Sequence, residues 1–424
     1  MKKLFLVLMI ILLVCGCSKG ETKEDEPKND DPKQTNVDTA NMRYFLYKGA
    51  EDFNTGNLIV PEVGYDGLNY NYIDFLEMYR FARYIKVDEN GNGVHVAVDV
   101  NEVKKDGYYE PVFTVTEEEA ALSFNEGAKI GNNFTSCFLE ENGTLHLDYE
   151  IFKEVSKDEV ESILNGTKGY KTLKEAKVGD TVVFGKYEQD ICLSNGSDPI
   201  KWKVLDIKDG KALLLSEDVI DDHTFNNKQE DTNWETSSLR AFLNGDFYNS
   251  VFSDEEKNKI VTSHLENKSY ADYLSSYWQN NSYIEFNNLN NVNNGNPTDD
   301  KVFILDLGEI REYLGNEDGY YPSFASLDNG PKDWLETWSK FGINFDYAAG
   351  GRIARPSEAI VRWSNVAFST YHQSSTRHYA NYWVRTMADN NQRALVVTDI
   401  GAFMSYSTYS DNVGVRPAIW VEIN

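Results

Sequence analysis

Apolar and polar residues alternate along much of the chain, and this alternation predicts short β-strands. The clearest example is a predicted hairpin, in which residues 85–87 and 94–98 flank an Asn-Gly turn. Further strands are predicted at 112–116, 145–149, 181–184, 200–205, 212–215, 302–305, 382–385, 394–397 and 415–420. The spacing of turn residues between these runs favours many short strands over a few long ones.

Other segments place apolar residues at helical spacing or begin with helix-capping residues. Residues 72–84 have the apolar period of a helix. Capping boxes begin at Ser156 and Ser253, each with a glutamate three residues later. Helices are also predicted at 234–245, 307–314 and 356–363. Together the strands and helices predict an α+β protein.

The first residues have the pattern of an export signal. Two lysines precede an unbroken apolar run at 4–14, which is too short to span a bilayer because that takes about 20 residues. The following Val-Cys-Gly-Cys segment resembles a bacterial lipobox, which implies that Cys17 is acylated and becomes the mature N-terminus. Residues 18–41 are charged and nearly free of apolar side chains, so they are expected to form a disordered tether.

These patterns divide the chain into five parts. We expect a lipoprotein signal peptide at 1–16, a lipidated tether at 17–41, a small α+β module at 42–154, a helical connector at 155–177, and a larger domain at 178–424. The protein is therefore expected outside the cytoplasm, anchored to the membrane by lipid on Cys17 and facing outward or into the periplasm.

The charge of the chain excludes some partners. With 68 acidic and 41 basic residues the formal net charge is -27, and such a surface repels nucleic acid and anionic lipid head groups. The hydrophobic content of 41% is too high for a disordered chain, so a folded ectodomain is expected.

Few residues have the pattern of a chemical site. Cys137 and Cys192 could form one disulfide or remain buried free thiols. The segment 88–99 matches the first half of a calcium loop, but the alternation that follows favours a plain hairpin turn. His372 and His378 could share a metal, although isolated histidines are more often surface residues. No motif for a nucleophilic serine, a zinc protease or a phosphate loop occurs, so no cofactor and no metal are expected.

The C-terminal half carries a family resemblance. It resembles an uncharacterised bacterial domain found at the C-terminus of extracellular proteins and lipoproteins, and the matching stretches are 184–187, 200–205, 212–217, 234–245, 300–305, 382–386 and 414–420. The closing Trp-x-Arg strand and Gly-Val-Arg-Pro-Ala segment are also similar to the formylglycine-generating-enzyme branch of the C-type-lectin-like fold. That resemblance implies a domain with short twisted strands, flanking helices and long loops, but not the enzyme's chemistry, because this half lacks the required cysteines after Cys192.

Two functions of different classes remain open. The first is a non-catalytic surface lipoprotein that binds an extracellular glycan or protein through polar, tyrosine-bearing loops. The residues expected to contact the ligand are Asp389, Asn390, Asn391, Tyr406, Tyr409 and Asp411. The second is a secreted hydrolase of a cell-envelope polymer that uses paired carboxylates. The first is preferred, because no carboxylate pair can be identified from sequence.

Overall fold

The computed structural model describes residues 41–105, 108–268, 292–314, 351–366, 368–369, 379–388, 390–399, 401 and 403–423. The protein is mostly β, with 44% strand and 16% helix, and contains a near-closed barrel-like sheet and a half-barrel. The prediction of an α+β C-type-lectin-like domain preceded by an α+β module is therefore wrong. Within the described residues, no helix combines the length and the apolar character that crossing a bilayer requires.

The first part of the chain supplies the barrel-like sheet, which we call the barrel. Antiparallel pairing gives the strand order β10-β11-β12-β1-β5-β6-β7-β8-β9, with β2 beside β1, while β3 and β4 form a separate hairpin. The strands are β1 Arg43–Glu51, β2 Leu58–Ile59, β3 Glu62–Tyr65, β4 Leu68–Asn71, β5 Tyr84–Val87, β6 Asn92–Lys105, β7 Tyr108–Ser123, β8 Gly127–Ile130, β9 Asn133–Thr135, β10 Cys137–Leu139, β11 Thr144–Leu147 and β12 Glu150–Val155.

The predicted small α+β module is thus almost entirely sheet. Its predicted helix at 72–84 ends at Met78, and β5 starts at Tyr84. The hairpin predicted at 85–98 is confirmed as β5 and β6, and the Asp88 carboxylate accepts hydrogen bonds from the backbone of the turn. The barrel interior is filled by residues that include Phe45, Ile85 and Phe152.

The remaining strands lie in the C-terminal region. A five-stranded antiparallel sheet has the order β13-β14-β15-β24-β16, and a three-stranded sheet has the order β21-β22-β23. The strands are β13 Thr181–Tyr187, β14 Asp198–Lys208, β15 Lys211–Ser216, β16 Ile260–Val261, β17 Ser263–Leu265, β18 Thr298–Asp300, β19 Phe368–Ser369, β20 Tyr379–Ala380, β21 Tyr382–Met387, β22 Arg393–Val397, β23 Phe403–Ser407 and β24 Ala418–Glu422.

The described helices are short, and most begin after a residue whose side chain caps the backbone. They are α1 Tyr72–Met78, α2 Lys157–Leu164, α3 Ser238–Phe242, α4 Tyr248–Val251, α5 Asp254–Lys259, α6 Leu307–Leu314 and α7 Glu358–Trp363, with a π-helical turn Leu243–Phe247 between α3 and α4. The N-caps predicted at Ser156 and Ser253 are both present, and Ser253 forms a complete capping box with Glu256. Residues 42–424 group into one compact unit.

Three tryptophans and two of the motif arginines form the core of the C-terminal region. Trp202, Trp234 and Trp383 are almost fully buried. The Trp234 indole N–H donates to Asp300 over 2.9 Å, and Arg240 pairs with the same carboxylate over 2.6 Å. The Arg416 guanidinium donates to the carbonyl of Ser216. These motif residues therefore act in packing and buried pairing.

The third motif arginine, Arg385, lies between two carboxylates. Its Nη2 is 2.9 Å from Glu309 and 3.5 Å from Asp306, and its Nε donates to the carbonyl of Ile304. The Arg385 side chain is 2% exposed. A guanidinium this deeply buried is stable only with such partners, so the Trp-x-Arg motif is structural.

Candidate functional site

A cleft of about 930 Å³ lies where the barrel meets the C-terminal region. The barrel contributes the end of α1 with residues 77–80, and the segment after α2 contributes residues 166–170. The C-terminal region contributes residues 189–191, 198–201 and 355–362. The size is that of a cavity for a small organic ligand or part of a polymer.

Three carboxylates gather beside the cleft, two on the loop between β13 and β14 and one at the start of β14. Oxygen atoms of Glu188, Asp190 and Asp198 all lie within 4.8 Å of one another. Burial raises the pKa of Glu188 to about 7 and that of Asp190 to about 7, and repulsion from Asp198 adds to both effects. Near neutral pH these groups therefore exchange protons readily.

Arg80 from the barrel faces this carboxylate cluster. Its Nη2 is 3.0 Å from Asp198 Oδ1, and its guanidinium donates to the backbone carbonyls of Asn195, Gly196 and Ser197 over 2.7–3.1 Å. Arg80 has φ of +64°, a left-handed conformation that is rare for a long side chain. From this backbone position Arg80 forms a salt bridge to the cluster across the boundary between the barrel and the C-terminal region.

The opposite part of the cleft combines an aromatic ring with further charges. Lys201 Nζ lies 5.9 Å from the centre of the Tyr170 ring. Burial, followed by repulsion from Glu217, raises the pKa of Asp218 to about 6. Burial, followed by repulsion from Asp198, also raises the pKa of Glu358. The lining includes both donors and acceptors, which suits a ligand rich in hydroxyl or amide groups.

The predicted ligand residues Asn390 and Asn391 stabilise a turn. Asn390 Oδ1 accepts from the backbone N–H of Gln392, and Asn391 Nδ2 donates to the carbonyls of Thr232 and Asn293. The Asn391 side chain thus joins three segments of the chain. Asp389 lies outside the described residues.

Of the remaining predicted residues, Tyr406 lies in β23 and Tyr409 and Asp411 follow that strand, and they differ in exposure. Tyr406 is half-buried against the core, whereas Tyr409 is 52% exposed. Asp411 accepts a hydrogen bond from the Asn365 side chain. The structure does not place this set around the cleft, and the ligand role of these residues stays a prediction.

The remaining predicted sites divide between described and undescribed residues. Cys137 and Cys192 are free thiols and both are buried, in two different apolar clusters, so the disulfide considered from sequence is not formed. The proposed lipid acceptor Cys17 and the histidines His372 and His378 lie outside the described residues.

Sequence reasoning missed the residues of the cleft. Arg80 and Asp198 are separated by 118 positions, and no local period connects them. A weak signal existed in the three acidic residues within the eleven-residue stretch 188–198, interrupted by Asn-Gly-Ser. Their proximity depends on how the barrel and C-terminal region pack, which is not a local property.

Comparison with known protein families finds a match in the C-terminal half of the chain. A family model described as "Domain of unknown function (DUF6273)" matches residues 209–423, which agrees with the expected uncharacterised C-terminal domain. No curated protein and no solved structure matches the chain. Since the match covers about half of the sequence, the chain belongs to the DUF6273 family.

Proposed function

We propose that this protein is a lipid-anchored extracytoplasmic binding protein whose ligand occupies the cleft between the barrel and the C-terminal region. The observation that supports this proposal is the cleft itself, with its volume of about 930 Å³ and walls from both parts of the chain. Ligand sites are preferentially located at such boundaries.

The lining of the cleft favours a glycan or a peptide segment of an extracellular protein. Tyr170 offers a ring face, Arg355 and Lys201 offer donors, and Asp218 offers an acceptor. Hydroxyl and amide groups can donate and accept at once, so they match this mixture better than a purely apolar or anionic ligand would.

A pair of tyrosine variants tests the location of the site. Tyr170→Ala removes a ring from the cleft, and we expect it to weaken binding of soluble cell-wall glycan or peptide fragments at least about tenfold. Tyr409→Ala is the matched control, because it removes an exposed ring from the loop set predicted from sequence. Binding would be measured by calorimetry on the full chain. Loss of binding in Tyr409→Ala with unchanged binding in Tyr170→Ala would place the site on the loops instead.

The anchor is a separate part of the proposal and has its own test. The lipobox resemblance favours Cys17 over Cys15 as the acylated residue, since glycine precedes Cys17. In cells fed a labelled fatty acid, Cys17→Ala should abolish incorporation into the protein, while Cys15→Ala should not. Incorporation that persists in Cys17→Ala would contradict the lipid anchor.

A second candidate function is hydrolysis of a cell-envelope polymer, and the carboxylate cluster favours it. With a pKa of about 7, Asp190 can hold a proton at neutral pH and donate it to a leaving group, while Asp198 is paired with Arg80. Such a difference between neighbouring carboxylates is typical of general acid catalysis.

Turnover distinguishes the two functions. The purified protein would be incubated with envelope glycans and peptides, and the products measured by mass spectrometry. The hydrolase is favoured if the unmodified protein cleaves a substrate, Asp190→Asn does not, and the exposed-site control Asp209→Asn still does. Tight binding without cleavage would favour the binding protein.

A further inference from the structure

The loop between β13 and β14 inserts two apolar side chains into an aromatic cluster of the barrel. We call residues 188–197 the plug. Its Cys192 is 1% exposed and packs among Tyr65, Phe75, Tyr79 and Phe113, and Ile191 packs against the same cluster. The plug therefore covers an apolar surface of the barrel that would face solvent if the plug moved away.

Polar contacts from the barrel hold the plug in place. Arg80 donates to three successive backbone carbonyls of the plug and pairs with Asp198. The Asn195 side chain adds a hydrogen bond to the carbonyl of Tyr79. The Arg80 side chain is 9% exposed and the Asp198 side chain 12%, so this is a largely buried ion pair.

The same contact contains polar groups that the fold leaves without partners. Among the described residues, Arg80 Nε, Glu188 Oε1 and Asn195 Oδ1 are buried and have no hydrogen-bond partner. Each such atom carries a desolvation cost that no bond offsets. The left-handed backbone at Arg80 adds strain to the same place. The contact between Arg80 and the plug therefore contributes less to stability than its hydrogen bonds alone would suggest.

We propose that the plug is a releasable element, held by Arg80, whose departure uncovers the aromatic cluster of the barrel and the Cys192 thiol. The barrel strands and strands β13 and β14 retain their ladders when the plug moves, because the plug itself forms no strand pairing. Release also removes Gln189, Asp190 and Ile191 from the cleft wall. The position of the plug thereby changes the shape of the cleft. This inference does not depend on the identity of a cleft ligand, since opening can be measured without one.

Cys192 provides a direct readout of opening, and Cys137 is the internal reference. Both thiols are buried, but Cys137 lies in the interior cluster of the barrel. The full chain would be treated with iodoacetamide under native conditions, and alkylation of each cysteine would be followed by peptide mass spectrometry. In the unmodified protein we expect Cys192 to react at least about tenfold faster than Cys137.

The variant Arg80→Ala tests the role of the guanidinium. Its removal should accelerate alkylation of Cys192 at least about tenfold while leaving Cys137 unchanged, because a buried charge pair has lost one partner. Arg43→Ala, which breaks an ion pair of the barrel far from the plug, should change neither rate. Equal acceleration of both cysteines, or no acceleration of Cys192, would overturn the proposal.

Hydrogen exchange of the unmodified protein supplies a second measurement if Arg80→Ala does not fold. The amides of Cys192 and Asn195 are hydrogen-bonded within the plug. We expect both to exchange at least about tenfold faster than the paired amides of β14. Exchange of the plug at the rate of β14 would show that the plug opens only with the whole sheet, which contradicts the proposal.

Discussion

Replacing Asp190 with asparagine should make the protein more stable at alkaline pH and less sensitive to pH. Asp190 is one of three close carboxylates, and its folded-state pKa of about 7 is well above the ordinary value of 3.8. An acid whose pKa is raised by folding stabilises the protein fully below its unfolded pKa. That stabilisation is lost as pH rises through the folded pKa, here between about pH 4 and 7.

The size of the effect follows from the two pKa values. Each pKa unit corresponds to about 1.4 kcal/mol. The difference between the ordinary pKa of 3.8 and the folded-state pKa of about 7 therefore limits the contribution of Asp190 to the free energy of unfolding to about 4 kcal/mol. Asp190 is partly exposed to solvent, and the neighbouring Glu188 titrates in the same pH range. We therefore expect about half of this upper bound, or about 2 kcal/mol. Of this stabilisation of about 2 kcal/mol, about 1 kcal/mol is lost as the pH rises from 5 to 8.

The substitution is mild in other respects. The asparagine oxygen can still accept from the Cys192 N–H, which is 2.6 Å from Asp190 Oδ1. The Asn195 Nδ2 bond to Asp190 is lost. If the Asn195 amide turns over, its Oδ1 accepts from the new amide and the Nδ2 bond to the carbonyl of Tyr79 is lost instead, so the cost is about one hydrogen bond either way. The variant should therefore fold normally.

Urea denaturation at pH 5 and pH 8 measures the effect. The free energy of unfolding of Asp190→Asn should rise relative to the unmodified protein by about 1 kcal/mol more at pH 8 than at pH 5. Asp209→Asn, a matched change in the exposed turn between β14 and β15, should show no such difference. An equal effect of Asp190→Asn at both pH values would refute the reasoning.

Three further changes test the core of the C-terminal region. Arg385→Met leaves two buried carboxylates without their cation and should cost about 3–5 kcal/mol in urea denaturation, whereas a cost below about 1 kcal/mol would show that the pairing is dispensable. In Gly414→Ala, a Cβ would lie 2.2 Å from Val219 Cγ1, so calorimetry should show a loss of about 1–3 kcal/mol, and an unchanged melting temperature would contradict the close contact. Trp234→Phe removes the N–H bond to Asp300 and should cost about 1–3 kcal/mol by the same method, with a neutral effect counting against that bond.

Features that depend on a few neighbouring residues could be predicted from the sequence. The caps at Ser156 and Ser253 satisfy backbone donors within three residues, so their helices begin where expected. The β5–β6 hairpin and the strand at 382–387 were likewise predictable from alternation and turn residues.

Longer-range features were not predictable. Strand β7 extends through Glu117–Glu119, where charged side chains hide the strand pattern, and its neighbour β6 continues into lysines. The helical pattern after Tyr72 ends early because the chain turns into β5. The lectin-like assignment rested on terminal motif residues, which prove to fill the core. The cleft depends on contacts between positions more than 100 residues apart, such as Arg80 and Asp198.

The position of β24 has a consequence for how this protein acquires its structure. Ala418–Glu422 lies between β15 and β16, so Leu213 pairs with Trp420, and Ile260 with Val421. The central ladder thus joins residues about 200 positions apart, and such contacts bear a large loop-closure cost and form slowly. During synthesis, β15 has no β24 to pair with until about 200 further residues have been made. The C-terminal region therefore remains incomplete for most of that time, with the apolar edge of β15 open to non-native pairing.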